Sequence, residues 1–451
     1  MQLAEDKKKF NLPFHVVKKL DISKRKYWLI KFIGIAAAFL LAGLLCTILR
    51  PGTFGTFYTQ MFLGCFSMGG TDKFNEFLLC FALLALVAFA LAPAFKMKFW
   101  NIGGEGQILI GCLVTAGLCK FMGDAGINNW VIILVSFVSA IAAGVVWGVI
   151  PAIFKALFGT NETLFTLMMN YIAAGLIALM INVWVPNGSQ VFGVVNAGSL
   201  PDFFNFKYIF GVLLAAVVII LITIYLKKTK HGYELSVVGE SANTARYIGI
   251  NVKKVTIRTM ILSGGVCGLV GFILVAGYHH TLTSILASGR GFTGVLIAWL
   301  GTFEPIQMVL YAFLVSIFQR GSINAASYVN MNTEHFSAIV TGMFFLIVIA
   351  TEFFVNYRIM FNKDESKPAK AKLAMETVPS YSSEPASEEA EVKEEKVVEE
   401  KEEKKAPAKK PEAKKVEAKK APTKKVVEKK PASKKPVAKK ATSKKNVKEG
   451  K

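Results

Sequence analysis

The sequence predicts an all-α protein that crosses a membrane about ten times. Seven apolar stretches of 19 to 25 residues, almost free of charge, fill most of residues 29–355. Backbone amides in hydrocarbon must be paired within their own segment, and about 20 helical residues cross a bilayer. Three shorter apolar runs lie between glycine-rich or polar breaks, which is typical of discontinuous helices in transporters. The long stretches are 29–49, 77–95, 130–154, 164–185, 208–226, 259–278 and 336–355, and the short runs are 108–118, 292–303 and 306–318.

The ten predicted spans divide into two halves of five. The glycine-rich turn 289–294 has the same place relative to the seventh span as the turn 103–107 has relative to the second. An odd number of spans in each half gives the halves opposite orientations, which is the pattern of inverted repeats around a central pathway. We therefore expect the two broken regions to face each other across that pathway.

Lysine and arginine indicate the orientation, because short loops that carry them stay in the cytoplasm. With the N-terminus inside, the inner loops up to Arg258 hold 18 such residues and the outer loops hold 6. Residues 1–28 are predicted to be a basic cytoplasmic arm, too long and too charged for a signal peptide, so that the first span is an uncleaved anchor. Residues 29–356 then form the transmembrane domain, and both termini are expected in the cytoplasm.

The C-terminal region differs sharply in composition from the rest. Residues 363–451 hold 27 lysines and 17 acidic residues with few apolar ones, so we expect a disordered cytoplasmic tail rich in Lys, Glu, Ala and Pro. This tail could be a solvated spacer or could contact anionic membrane lipids. Nucleic acid is an unlikely partner, since Tyr381 is the one aromatic residue available for base stacking.

Histidine and cysteine give no sign of a metal site. The six cysteines lie mostly within apolar stretches, without the spacing of a zinc site or a disulfide framework. His279 and His280 follow the seventh span and are interpreted as interfacial residues. No metal and no cofactor are therefore expected on this chain.

The first candidate functional motif follows the second span. Glycines in the sequence Asn-Ile-Gly-Gly-Glu-Gly-Gln at 101–107 let the backbone unwind. The first amides of the next helix then point unpaired at whatever lies in front of them, which suits a polar solute. The predicted pathway residues are Asn101, Gly103, Gly104, Glu105, Gly106, Gln107, Asn161, Glu162, Asn170 and Phe292.

Two of these residues allow more than one role. Polar groups within a membrane are functional candidates because they are costly to place there. Asn170 could line the pathway or form hydrogen bonds between helices. Glu162 could also line the pathway, or it could be an acidic residue at a helix N-terminus near the lipid headgroups.

A short helix is predicted within the loop 227–258, the most basic internal loop. Ser241 is a good N-cap for a helix over 242–248, and Gly249 is a plausible C-cap. The basic loop places this helix in the cytoplasm.

Three motifs resemble permease subunits of ATP-binding cassette importers, in the branch that takes up nucleosides and simple sugars within the branched-chain amino acid and ribose permease superfamily. They are the 101–107 motif, the Asn-Glu, Thr-Leu-Met and Asn-Tyr-Ile pattern in 159–172, and the segment 239–250 followed by Ser-Gly-Gly at 263–265. Family members often carry Ala at the position of Gly104. The resemblance covers about 29–356. It implies that the 242–248 helix couples to an ATPase, through the predicted coupling residues Gly239, Glu240, Ser241, Ala245, Arg246 and Gly249.

The resemblance further implies a cytoplasmic ATPase that hydrolyses ATP, a second homologous permease and an extracytoplasmic substrate-binding lipoprotein at a bacterial cell membrane. The chain itself contains no Gly-x-x-x-x-Gly-Lys-[Ser/Thr] phosphate loop and no nucleophile–base pattern of an enzyme. The expected function is a nucleoside permease, with a simple-sugar permease as the runner-up. Two other classes are an ion-driven transporter that uses Glu105, Glu162 and Glu304 as proton carriers, and a membrane anchor for a nucleic-acid-binding tail.

Overall fold

The computed structural model describes residues 14–18, 23–67, 73–185, 192–202 and 207–361, so the tail at 363–451 lies outside the described residues. The helices of the first half and of the loop that follows it are α1 (Lys24–Leu49), α2 (Phe54–Phe66), α3 (Lys73–Lys96), α4 (Gly104–Asp124), α5 (Asn129–Phe158), α6 (Glu162–Trp184), α7 (Ile209–Lys228), α8 (Lys230–Glu240) and α9 (Ala242–Tyr247). The remaining helices are α10 (Val252–Leu274), α11 (Arg290–Leu300), α12 (Pro305–Ser316), α13 (Ser322–Tyr328) and α14 (Thr333–Asn356). A π-helical turn, Val275–His279, extends α10, and another, Ile317–Gly321, joins α12 to α13. Two strands, β1 (Phe14–Lys18) and β2 (Tyr357–Phe361), complete the described elements.

The predicted helical membrane fold is confirmed. Within the described ranges, nine helical segments are long and apolar enough to span a bilayer, and α11 is a shorter apolar helix. Each of the ten apolar stretches identified in the sequence forms a helix over most of its length, and the run 292–303 leaves the helix after Leu300. The run predicted at 108–118 belongs to a helix of 21 residues, and the run at 306–318 belongs to a segment of 24 residues. Apolarity ends at Lys120 and Arg320, but the backbone continues as helix past both residues. Each basic residue has an acidic partner, since Lys120 lies 3.7 Å from the Asp124 carboxylate and Arg320 pairs with Glu76 of α3.

Helix α2 was not predicted, since its 13 residues are too few to cross the membrane and include Thr, Gln and Gly. It packs against α13 and the π-helical turn before it. Asn324 donates a hydrogen bond from Nδ2 to the Gln60 carbonyl (2.6 Å). The stretch between Arg50 and Lys73 is therefore partly a packed helix and not only an outer loop.

The packing of α3 and α10 supports two inverted repeats. Helix α3 contacts α11 and α12, and α10 contacts α4 and α5, so the second span of each half packs against the third and fourth spans of the other. Counting the spans between them gives α3 and α10 opposite directions. These two helices are also the most deeply buried, with 89% and 83% of their apolar windows inside the protein. They form the centre of the transmembrane domain.

Glycines allow α5 and α10 to touch backbone to backbone. A methyl group on Gly144 would lie 2.2 Å from the Gly264 carbonyl oxygen, and one on Gly268 would lie 2.2 Å from the Ala140 carbonyl oxygen. Gly148 would meet the Gly264 Cα at 3.1 Å. The spacing of small residues at 144/148 and 264/268 is thus used for close helix packing, as expected in a bilayer.

The two ends of the domain meet. Strands β1 and β2 pair antiparallel, with Phe14 opposite Phe361. Nearby, Lys31 of α1 lies 3.2 Å from the Glu352 carboxylate of α14. The segments before α1 and after α14 must therefore lie on the same side of the membrane, which agrees with an even number of crossings.

Candidate functional site

Asn101 organises the first broken region, which connects α3 to α4. It is fully buried, and its Nδ2 donates to Ser263 Oγ on α10 (3.2 Å). Its Oδ1 accepts from the Gly103 amide (3.1 Å) and from Gln107 Nε2 (3.4 Å). Asn101 thus closes the first turn of α4 and fastens it to the central helix α10.

Asn170 of α6 holds the same turn from the other side. Its Oδ1 accepts from the Gly106 amide (2.8 Å), and its Nδ2 donates to the Ile102 carbonyl (3.0 Å). A methyl group on Gly106 would lie 3.0 Å from the Asn170 Cα, so this contact requires glycine. Of the two roles considered for Asn170, the structure shows hydrogen bonding between helices.

Glu105 joins the two broken regions. Its carboxylate accepts hydrogen bonds from the backbone amides of Gly289 and Gly291, both at 2.7 Å. These amides begin α11 and have no partner within the helix, so the carboxylate caps α11 and balances its positive dipole end. A methyl group on Gly291 would lie 2.2 Å from the Glu105 nitrogen. The two regions were expected to face each other across a pathway, whereas in the structure they are in direct contact.

This contact lies level with the middle of α3, one of the candidate membrane spans. A methyl group on Gly294 of α11 would lie 2.4 Å from Val87 Cγ1 and 3.2 Å from the Ala88 nitrogen. Both residues are near the midpoint of α3 (Lys73–Lys96). Helix α11 is too short to span a bilayer alone, and its N-terminus and that of the longer α4 converge on one carboxylate. A charge at this depth is stable only with such hydrogen bonds.

The remaining predicted residues of these regions differ in exposure. Gln107 is buried, whereas Phe292 of α11 is 41% exposed. A methyl group on Gly104 would lie 3.0 Å from Leu91 Cδ1, the flexible end of a side chain. One on Gly103 would lie 3.1 Å from Thr166 Cβ. The position of Gly104 would therefore accept a methyl group if the Leu91 side chain shifted slightly.

Asn161 and Glu162 lie apart from this group, at the connection between α5 and α6. Asn161 is the N-cap of α6, and its Oδ1 accepts from the amides of Thr163 (3.0 Å) and Leu164 (3.2 Å). Glu162 is buried, with its Oε2 at 2.7 Å from Lys155 Nζ at the end of α5. Both side chains close the helix connection.

Helix α9 is the predicted coupling helix. Ser241 caps it by accepting from the Thr244 amide (3.2 Å), and Gly249 follows its C-terminus with a φ of +83°, which glycine adopts readily. The helix ends one residue before the predicted 248. Ala245 faces inward, and Arg246 faces solvent. The neighbouring Tyr247 and Ile248 are 91% and 55% exposed.

Helix α8 connects this exposed helix to the centre of the domain. A methyl group on Gly239 would lie 2.1 Å from the Lys96 carbonyl oxygen at the end of α3, and Lys98 donates to the Glu240 carbonyl (3.4 Å). The next residues of the chain, from Asn101 onward, form the first broken region. A displacement of α9 and α8 would therefore act on the segment that leads to Glu105.

Several partners in this arrangement were not predicted. Ser263 supports Asn101, and Thr166 accepts from the Ile102 amide (3.2 Å) through its Oγ1. Thr166 precedes Asn170 by one helical turn, a spacing that places both on one face of α6 and could have identified it. Outside the membrane, a hydrogen bond from Arg258 (2.9 Å) lowers the pKa of Glu234 on α8 and ties α8 to α10.

A family model described as the permease component of the branched-chain amino acid transport system matches residues 74–349, from α3 into α14. The chain belongs to this permease family. The permease is 29% identical to the nucleoside ABC transporter permease protein NupB of Lactococcus lactis subsp. cremoris, over 59% of its own length and 76% of that protein. It is 30% identical to the guanosine ABC transporter permease protein NupP of Bacillus subtilis, over 53% and 70% of the two chains. It is 26% identical to the glucose ABC transporter permease protein TsgB13 of Haloferax volcanii, over 61% and 76%.

Proposed function

We propose that the permease forms the translocation pathway of an ATP-binding cassette importer for nucleosides, driven by a separate cytoplasmic ATPase. The observation that carries this proposal is the mid-membrane junction at Glu105, where two broken helices meet, together with its connection to the exposed helix α9. Relatives that transport nucleoside and guanosine support nucleosides as the solute. The glucose permease among the relatives supports simple sugars as the second candidate.

The geometry suggests how ATP binding would open the pathway. The ATPase would bind the exposed side chains of Arg246, Tyr247 and Ile248 on α9 and move this helix. Because Gly239 contacts the Lys96 carbonyl, the motion would reach the end of α3 and then the turn at 101–107. The two broken helices would shift at Glu105 and expose the pathway to each side of the membrane in turn. The permease itself would bind no cofactor, since ATP would be hydrolysed by its partner.

The proposal includes the other components of such an importer. A second, homologous permease would complete the pathway, and an extracytoplasmic lipoprotein would deliver the solute. Both termini would lie in the cytoplasm of a bacterial cell, as the basic loops indicate. There the lysine-rich tail would contact the membrane lipids or extend into solvent.

An ion-driven mechanism is less well supported, because the three acids it would use already have partners. Glu105 accepts two amide hydrogen bonds, and Glu162 pairs with Lys155 at 2.7 Å. Glu304 pairs with Lys227 at 3.1 Å. The decisive measurement is guanosine uptake into vesicles that contain the complete complex. Uptake should require ATP inside the vesicles and should stop when the ATPase is inactivated.

The coupling surface provides a direct test. Changing Arg246→Glu and Tyr247→Ser together should reduce guanosine-dependent ATP hydrolysis at least about tenfold, since exposed Arg and Tyr are typical of binding hot spots. The melting temperature of the purified permease should not change, because neither side chain is buried. Tyr328→Ser is a matched control, as Tyr328 is a similarly exposed tyrosine (61%) at the end of α13. Equal activity of the double variant and the control would contradict the assignment of α9.

A further inference from the structure

Three exposed aromatic rings lie along the face of the permease where the broken helices meet. Trp100, Phe292 and Trp299 are 43%, 41% and 54% exposed. Phe292 and Trp299 are two helical turns apart and therefore share one face of α11. The Trp100 and Trp299 rings have their centroids 5.8 Å apart, with 45° between their planes. We refer to these three residues as the aromatic strip.

The aromatic strip adjoins a segment that is not expected to face lipid. The connection over 280–289 is not helical, and it leads into α11, whose Gly294 lies level with the middle of α3. Within it, Ser288 is exposed and Ile285 is 77% exposed. Irregular backbone at this depth is stable only where protein covers it or where it lines a water-filled cavity. Phe292 follows this connection by less than one turn of helix, so the strip begins next to a segment that must face water or a partner permease.

The position of Trp100 is fixed by its neighbours. Phe95 of α3, which is buried, contacts the Trp100 ring edge to face, with centroids 5.7 Å apart and 84° between the planes. The Trp100 carbonyl accepts a hydrogen bond from Thr166 Oγ1 (3.5 Å). The ring is therefore held from behind, and its exposed side is free for contact with a solute.

The chemistry of the strip selects for planar rings. Tryptophan and phenylalanine stack on any flat heteroaromatic base, with modest energy and without hydrogen bonds that must be broken on release. A sugar without a base has no π-face for stacking and can offer these rings only C–H groups. Phe292 and Trp299 are about 10 Å apart along the axis of α11, since each helical residue advances about 1.5 Å.

We propose that the aromatic strip stacks the base of the nucleoside as it passes from the mid-membrane junction toward the cytoplasm. This inference rests on the proposed nucleoside function and names the part of the solute that the permease itself recognises. The binding lipoprotein selects the solute, and the strip gives the base a series of weak stacking positions that it can leave.

The test uses the complete transporter in vesicles, with radiolabelled guanosine and D-ribose as separate probes. Trp299→Ala should lower the initial rate of guanosine uptake on the order of tenfold, which is the range of one lost stacking contact. Trp299→Phe should retain most of the uptake, because the ring remains. ATP hydrolysis stimulated by the loaded lipoprotein should persist in Trp299→Ala, since the coupling helix is unchanged.

Trp130→Ala is the matched control, because Trp130 is an exposed tryptophan (61%) in the first turn of α5, away from the broken helices. The proposal is overturned if Trp299→Ala transports guanosine as well as Trp130→Ala does. Should Trp299→Ala not assemble, Trp299→Leu replaces it, and equal uptake by the Leu and Phe variants overturns the proposal. Wild-type complex that moves ribose but no guanosine would instead refute the proposed nucleoside function, whatever the tryptophan variants do.

Discussion

Glu105→Gln should lower solute uptake about 30-fold or more. The glutamate carboxylate accepts hydrogen bonds from the amides of both Gly289 and Gly291 at 2.7 Å. Glutamine offers one acceptor oxygen, and its NH2 group would point at the second amide, which would stay unpaired. A lost hydrogen bond to a charged group and a buried unpaired amide together cost about 2–3 kcal/mol, roughly a 30- to 150-fold change in an equilibrium constant. Uptake of guanosine into vesicles at saturating lipoprotein measures the effect.

Two further variants test whether the loss of uptake depends on the carboxylate of Glu105. Glu105→Asp keeps the charge but shortens the side chain, so it should recover part of the uptake that Glu105→Gln loses. Glu334→Gln is the matched control, because Glu334 is also a glutamate in the first turn of a helix but is exposed. It should transport like the wild type. Normal uptake by Glu105→Gln would show that the junction does not depend on the carboxylate.

The sequence predicted the broken helices but not the partner of Glu105. Glycine clusters and polar residues within apolar stretches are visible in one dimension, which is why the turns at 101–107 and 289–294 were identified. Glu105 accepts a hydrogen bond from the backbone amide of Gly289, which is 184 residues away in the sequence. Every residue except proline carries such an amide, so the pairing leaves no mark on the sequence.

Helix α9, the proposed coupling helix, shows the same division between local and long-range information. Its N-cap at Ser241 and the glycine after its C-terminus are local signals, and the helix lies within one residue of its prediction. Its attachment to α3 depends on the absence of a side chain at Gly239, next to the Lys96 carbonyl. Such a contact depends on how α8 docks, which no local pattern specifies. Helix α2 was not predicted for a related reason. It is short, and it is stabilised by packing against α13, a contact between residues far apart in the sequence.

Gly264→Ala should destabilise the permease, although alanine normally favours a helix over glycine by about 1 kcal/mol. The added methyl group would lie 2.3 Å from the Gly144 carbonyl oxygen, and the obstacle is backbone that cannot rotate away. Helices α5 and α10 would have to separate. Helices in lipid gain no hydrophobic energy by associating, so close van der Waals contact is a large part of what holds this pair together. Overpacking of this kind costs about 1–3 kcal/mol.

Gly342→Ala on α14 supplies the comparison, because no atom lies within 4 Å of the methyl group it would add. It should leave the permease unchanged or raise its melting temperature slightly, since alanine costs less backbone entropy. Thermal melting of the two purified variants in detergent measures the difference, and Gly264→Leu should be worse than Gly264→Ala. If Gly264→Ala had the same melting temperature as Gly342→Ala, helices α5 and α10 would have to pack less closely than the structure shows. The central helix α10, which carries Ser263 beneath Asn101, would then not fix the position of the first broken region.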